Sequence, residues 1–125
     1  MTLRIANAAG FWGDWTAAPR RLLETAEVDF LTLEYLAELT MSILARQRKR
    51  DPLVGYASDF LSVVEDIAGL LRSQTQLHVV TNAGGLNPQA CAARVAEIIS
   101  AEGLGDVPIG VVSGDDLLGN IDDLV

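Results

Sequence analysis

The sequence predicts an α/β fold: a three-layer sandwich around a mainly parallel, doubly wound sheet of four strands in the order 2-1-3-4. Three observations predict it. Short β-branched or apolar runs alternate with longer segments of helical period, the pattern of strands joined by crossover helices. The runs are mostly apolar, as expected where helices cover both faces of a sheet. Right-handed crossovers and short connections favour the 2-1-3-4 order, which sets the ends of strands one and three side by side at a switch point.

The elements follow in order. Strand one is Leu3–Ala6, and strand two, Phe30–Tyr35, is expected to be buried. A helix over Leu36–Lys49 carries Leu36, Leu39, Met41, Ile43 and Leu44, an apolar face broader than one sheet contact requires. It ends in Arg46-Gln47-Arg48-Lys49-Arg50, which reads as a solvated tail that offsets the helix dipole. Asp51-Pro52 breaks the chain there, because proline lacks an amide hydrogen and disfavours helix before it. A second helix over Ser58–Arg72 aligns Phe60, Val63, Val64, Ile67, Leu70 and Leu71 on one stripe. Strand three is Leu77–Thr81. The helix Pro88–Glu102 has its own punctuation: Asn87 as cap, Pro88 in the first turn and Gly103 as the left-handed stop. Strand four, Pro108–Ser113, forms an edge of the sheet. Leu117, Leu118, Ile121 and Leu124 then begin an amphipathic pattern where the sequence stops, so residues 1–125 are expected to be a single α/β domain, the N-terminal fragment of a longer protein.

Composition narrows the function. Half of the residues are hydrophobic and 21% are charged, which excludes a disordered tail. Nine basic residues against 17 acidic ones leave a net charge of −8, which repels a phosphate backbone, so nucleic acid is not an expected partner. Cys91 is the only cysteine, which rules out an intrachain disulfide and a cysteine-rich zinc site. No apolar run approaches the roughly 18 residues of a membrane helix. A cytoplasmic protein without a membrane partner is the expectation.

In open parallel sheets ligands bind beyond the carboxyl ends of the strands. After strand one, Asn7, Gly10, Trp12, Gly13 and Asp14 are candidate substrate-binding residues; their G-x-x-G spacing is not the dinucleotide fingerprint, and a tight turn pinned by tryptophans accounts for it equally well. After strand three, Asn82, Gly84, Gly85 and Asn87 lead into the capped helix, where free amides and the dipole favour an anion such as phosphate or carboxylate. No Walker lysine follows. The competing reading is a turn that uses glycine for geometry alone. Glu34 is the best single candidate for a general acid or base, because an unpaired carboxylate in a buried strand is costly, and the nearby Glu38 and Asp115 complete the candidate catalytic set. No metal ligand is assigned: the dipole explains acids in first helical turns, and Ser113 with Asp116 has the spacing of a capping box. The cofactor is unknown. His78 sits inside a strand and reads as structural, and Cys91 as a packing thiol.

Several of these segments together resemble a known family. Asn7-Ala8-Ala9-Gly10-Phe11-Trp12-Gly13-Asp14, Leu33-Glu34-Tyr35-Leu36-Ala37-Glu38-Leu39-Thr40-Met41-Ser42-Ile43-Leu44, Gly55-Tyr56-Ala57-Ser58-Asp59-Phe60, Val80-Thr81-Asn82-Ala83-Gly84-Gly85-Leu86-Asn87-Pro88 and Ser113-Gly114-Asp115-Asp116 are similar to the N-terminal part of the acyclic terpene utilisation protein AtuA family. The resemblance implies bacterial catabolism of acyclic terpenoids such as citronellol and geraniol through acyl-CoA intermediates. It also implies that the chain is the first part of a protein several times longer. It supplies no catalytic residues to carry over.

Two functions follow as expectations. In the first, the domain belongs to an enzyme that binds a small anionic substrate, an acyl-CoA or a branched organic acid, with Glu34 supplying acid-base chemistry. In the second, it is a noncatalytic assembly domain whose helix Leu36–Lys49 docks a companion protein. The expected partners are therefore the small molecule, the remainder of the chain, and a homo-oligomer or companion.

Overall fold

The computed structural model describes residues 1–125 and forms, in chain order, β1 (Ile5–Asn7), α1 (Ala18–Thr25), β2 (Phe30–Leu33), α2 (Glu38–Arg50), α3 (Asp59–Ser73), β3 (His78–Thr81), α4 (Pro88–Ala101), a short 3-10 turn (Leu118–Asn120) and α5 (Ile121–Leu124). It is a mixed α/β fold with one parallel sheet. Side chains two apart in a strand share a face, and Leu31 and Leu33 of β2 are both buried, whereas Phe30 and Thr32, which alternate with them, are not. The buried pair meets Val63, Val64 and Ile67 of α3 and Leu23 of α1 in a single core. Those α3 residues recur at helical spacing, which is why the helix aims one stripe at the sheet.

Two expectations about the sheet need correction. The order is β1-β2-β3, so strand two is central, and the ends of strands one and three are not adjacent. The central place goes to the strand that buries most, and β2 alone holds two leucines with almost no exposure; β1 is flanked by Arg4 and ends in Asn7. The sheet also has three strands, not four. Residues Pro108–Ser113 make no ladder: Pro108 has no amide to donate, and Gly110 contributes no side chain to pack. Sequence boundaries shift slightly too, since Asn7 closes β1 while Glu34 and Tyr35 lie beyond β2.

The third layer is absent. Helices α1, α3 and α4 pack side by side, with α3 between the other two. The register aligns Ile5 with Phe30 and His78, and Asn7 with Thr32 and Val80, on the opposite face. That face is open: Ile5 is 66% and Val80 53% exposed. Helix α2 lies over the strand-end loops instead, where only Leu44 is fully buried, and Leu39 of its broad apolar face is 74% exposed.

Helix α4 matches its sequence signals. Asn87 Oδ1 accepts the Ala90 amide at 3.4 Å, and Pro88 occupies the first turn. At the other end Gly103 takes φ +74°, while the Gly103 and Leu104 amides donate to Ser100 and Ile99, a Schellman stop. The amphipathic pattern near the C-terminus does form helical turns, but Leu117, Leu118, Ile121 and Leu124 remain exposed. No helix is long and apolar enough to cross a membrane.

Candidate functional site

A crevice of about 470 Å³ opens at the carboxyl ends of the strands, lined by Asn7, Thr32, Glu34, Thr81 and Asn82 together with Leu33 and Val80. The parallel register brings these residues from three strands to one level, in agreement with the rule for open α/β sheets. Asn7 and Asn82 thus share a site, but from either side of β2.

Hydrogen bonds orient its polar groups. Asn82 Oδ1 accepts the Tyr35 amide at 2.9 Å, and Asn82 Nδ2 donates to Glu34 Oε1 at 2.5 Å. The reverse orientation of the amide would set NH2 against an N–H and oxygen against a carboxylate, so only one assignment satisfies both neighbours. The Leu36 amide donates to the same Glu34 oxygen at 2.8 Å. Glu34 Oε2 has no partner within the chain. Across the crevice, Thr32 Oγ1 lies 3.1 Å from the Asn7 side-chain amide and 3.3 Å from the Ala6 carbonyl oxygen, which share its one hydrogen. Thr81 Oγ1 donates to the Leu33 carbonyl at 2.8 Å and accepts the Ala83 amide, which fixes the exit of β3.

Glu34 is exposed, not buried as the sequence suggested, because β2 ends one residue before it. Its distinction is its fixed orientation. Glu38 opens α2 and Asp115 lies in the unpaired segment after Gly114; both are exposed, and neither lines the crevice. Ser113 and Asp116 form no capping box, since no helix begins there.

The first loop is tied down by acids. Asp14 accepts the Gly10 amide at 2.9 Å and the Trp15 amide at 2.7 Å, which hold its carboxyl below the usual range. Gly13, at φ +98°, donates to Asp59 at 3.1 Å. The two glycine amides are therefore engaged inside the protein. Trp12 packs against the core, and Trp15 is exposed with the Arg21 guanidinium 5.4 Å from its ring centre.

The second loop interlocks with residues 52–57. Gly85 donates to the Asn82 carbonyl, Leu86 to Gly55 and Asn87 to Gly84, while Ala57 donates to Ala83. Asn87 does more than cap: its Nδ2 donates to the Pro52 and Val54 carbonyls at 2.8 and 2.9 Å. Of the loop amides, those of Asn82 and Gly84 make no bond within the chain. Arg48, which sequence reasoning grouped with a solvated tail, reaches this loop and donates to the Leu86 carbonyl at 2.6 Å. The sequence signal was present, four cations in five residues, but nothing in it distinguishes which one turns inward.

Three other groups stand apart. His78 stacks on Phe30 at 4.9 Å on the open face. Burial pushes the Tyr35 hydroxyl up to about 12, with the negative charges of Asp59 and Asp14 adding to it. Burial alone pushes the Cys91 thiol up to about 11. Cys91 is therefore expected to resist iodoacetamide at pH 8 in the folded chain and to react readily once urea unfolds it; fast labelling of the native protein would contradict the buried assignment. No group of three or more His, Cys, Asp or Glu side chains is arranged to hold a metal ion.

Comparison with curated proteins gave no match, and comparison with solved structures gave none either. Residues 3–125, spanning both loops, the crevice and the segment that follows α4, match the model of the acyclic terpene utilisation family protein AtuA, and the chain belongs to that family.

Proposed function

We propose that the crevice binds a small anionic substrate and that Glu34 acts in it as general acid or base. The observation that carries this reading is the carboxylate itself. Asn82 and the Leu36 amide hold one of its oxygens, and the other is free at a crevice beyond the strand ends. A base already held in one rotamer loses little freedom on reaching the transition state. The Asn7 side-chain amide, which lines the same crevice, supplies a polar group for the oxygens of the substrate. Family membership supports a role in cytoplasmic bacterial catabolism of acyclic terpenoids or related branched acids, with acyl-CoA intermediates as the substrate class.

The test is turnover of a panel of acyl-CoA thioesters and branched acids by the complete protein. Glu34→Gln is expected to lower it by roughly 10²–10⁴-fold, the range for a removed general acid or base, with the melting temperature unchanged. Undiminished turnover would remove Glu34 from the mechanism. The exposed Leu39 favours a second reading, a noncatalytic assembly domain that docks a companion through α2. That reading expects copurification with the companion and no thermal shift with any ligand of the panel.

A further inference from the structure

We propose that Arg48 is an anion-binding site, and that the chain's own Asp116 carboxylate occupies it until a phosphate or carboxylate ligand displaces it. The proposal goes beyond the Glu34 reading. It concerns the far end of the loop 82–87, whose first residue orients Glu34 and whose Leu86 carbonyl is held by Arg48.

Arg48 is built in before any ligand arrives. Its stem lies against Gly55, which has φ +107°; a Cβ there would stand 2.9 Å from Arg48 Cβ, so only glycine lets the chain pass so closely. The Leu86 carbonyl holds one end of its guanidinium at 2.6 Å. Such fixation removes much of the ordering cost of binding. A guanidinium has five N–H donors, and Nη1 makes both of the contacts seen, which leaves Nη2 and Nε without partners in the chain. Arg46, Lys49 and Arg50 are exposed on the same turns and add positive potential in a chain whose net charge is negative.

The stand-in for the ligand is a carboxylate. Asp116 Oδ2 lies 2.5 Å from Arg48 Nη1, the contact an anionic head group would make. Little else holds it there. No residue from 108 to 125 is buried, and no backbone hydrogen bond joins that segment to the rest of the chain. Arg48–Asp116 is its one side-chain hydrogen bond to the body of the protein. The partners retain 42% and 31% exposure, and exposed pairs of this kind favour the paired state by a factor of only about 1.4 to 5. A ligand anion has only this weak clasp to displace, so Asp116 lowers its apparent affinity by about two- to sixfold.

The experiment uses inorganic phosphate as the probe, at constant ionic strength, and follows the Arg48 side-chain N–H resonance by NMR. Phosphate is expected to shift it saturably in the unaltered chain. Asp116→Asn lies in an exposed segment, leaves the core intact and is expected to tighten phosphate binding by about two- to sixfold. Arg48→Gln is expected to abolish the saturable phosphate-induced shifts of the Gly55 and Leu86 amide resonances beside the guanidinium, while Arg46→Gln keeps them. Glu34→Gln should bind phosphate as the unaltered chain does, so loss of turnover in that variant and loss of the Arg48 site are separate results. Equal affinity with and without Asp116, or saturable shifts at Gly55 and Leu86 that survive Arg48→Gln, would overturn the proposal.

Discussion

Gly85→Ala is expected to destabilise the chain by about 2–5 kcal/mol in urea denaturation, from two sources that the structure separates. Gly85 sits at φ +54°, where a Cβ meets the neighbouring carbonyl oxygen and costs about 1–2 kcal/mol. The added carbon would also stand 2.5 Å from Leu44 Cδ1 and 2.9 Å from the Gly55 carbonyl oxygen. Leu44 has no exposed surface into which to swing, and the Gly55 oxygen is backbone that already accepts the Leu86 amide, so neither neighbour yields cheaply. Overpacking of this kind adds about 1–3 kcal/mol. Gly13 provides the control. It also has a positive φ, +98°, but nothing lies within 4 Å of its absent Cβ, so Gly13→Ala carries the conformational part alone. If both variants lose the same stability, the close packing of the two loops is not what Gly85 serves. Because Gly85 also donates to the Asn82 carbonyl, its displacement is expected to disturb the Glu34 orientation as well.

Ile67→Ala is expected to cost about 2–5 kcal/mol by chemical denaturation, a large part of the roughly 5–15 kcal/mol that a domain possesses. Ile67 is fully buried at the centre of α3, the helix that packs against both α1 and α4. Neighbours on three sides limit collapse into the vacated volume, which sends the cost toward the upper end. Ile5→Ala is the matched substitution on the other side of the sheet. There the side chain is largely solvated, and the change is expected to stay within about 0.5 kcal/mol. Comparable losses at both positions would mean that the outer face is covered in solution and that the sheet has a third layer after all.

Local signals carried much of the architecture. Helix α4 was legible almost to the residue, since its cap, proline and stop glycine each act within one or two turns. Helix α3 was legible from its stripe. Strand order was not: crossover rules allow both 2-1-3 and 1-2-3, and the choice depends on how much each strand buries once the helices are placed. The fourth strand failed for a related reason. An apolar run at Pro108–Ser113 states what could pair, whereas pairing requires an edge with matching donors, and proline and glycine weaken that match. The site divided similarly. Glu34, Asn7 and Asn82 line one crevice, but Glu38, Asp115, Gly10, Trp12, Gly13, Asp14, Gly84, Gly85 and Asn87 do not, and Asn82 emerged as the group that orients Glu34.

By itself, the sequence determined the α/β class, the existence of the three paired strands, the punctuation of the helices and the AtuA resemblance, because periodicity, capping and motif order act over a few residues at a time. Only the tertiary structure decided that β2 is central, that one sheet face is open, that Glu34 is exposed yet fixed, and that Arg48 turns inward to meet Asp116. The physical reason is distance along the chain: Asn82 reaches Glu34 across 48 positions and Arg48 reaches Asp116 across 68, and such partners meet only after the core has set the elements in place.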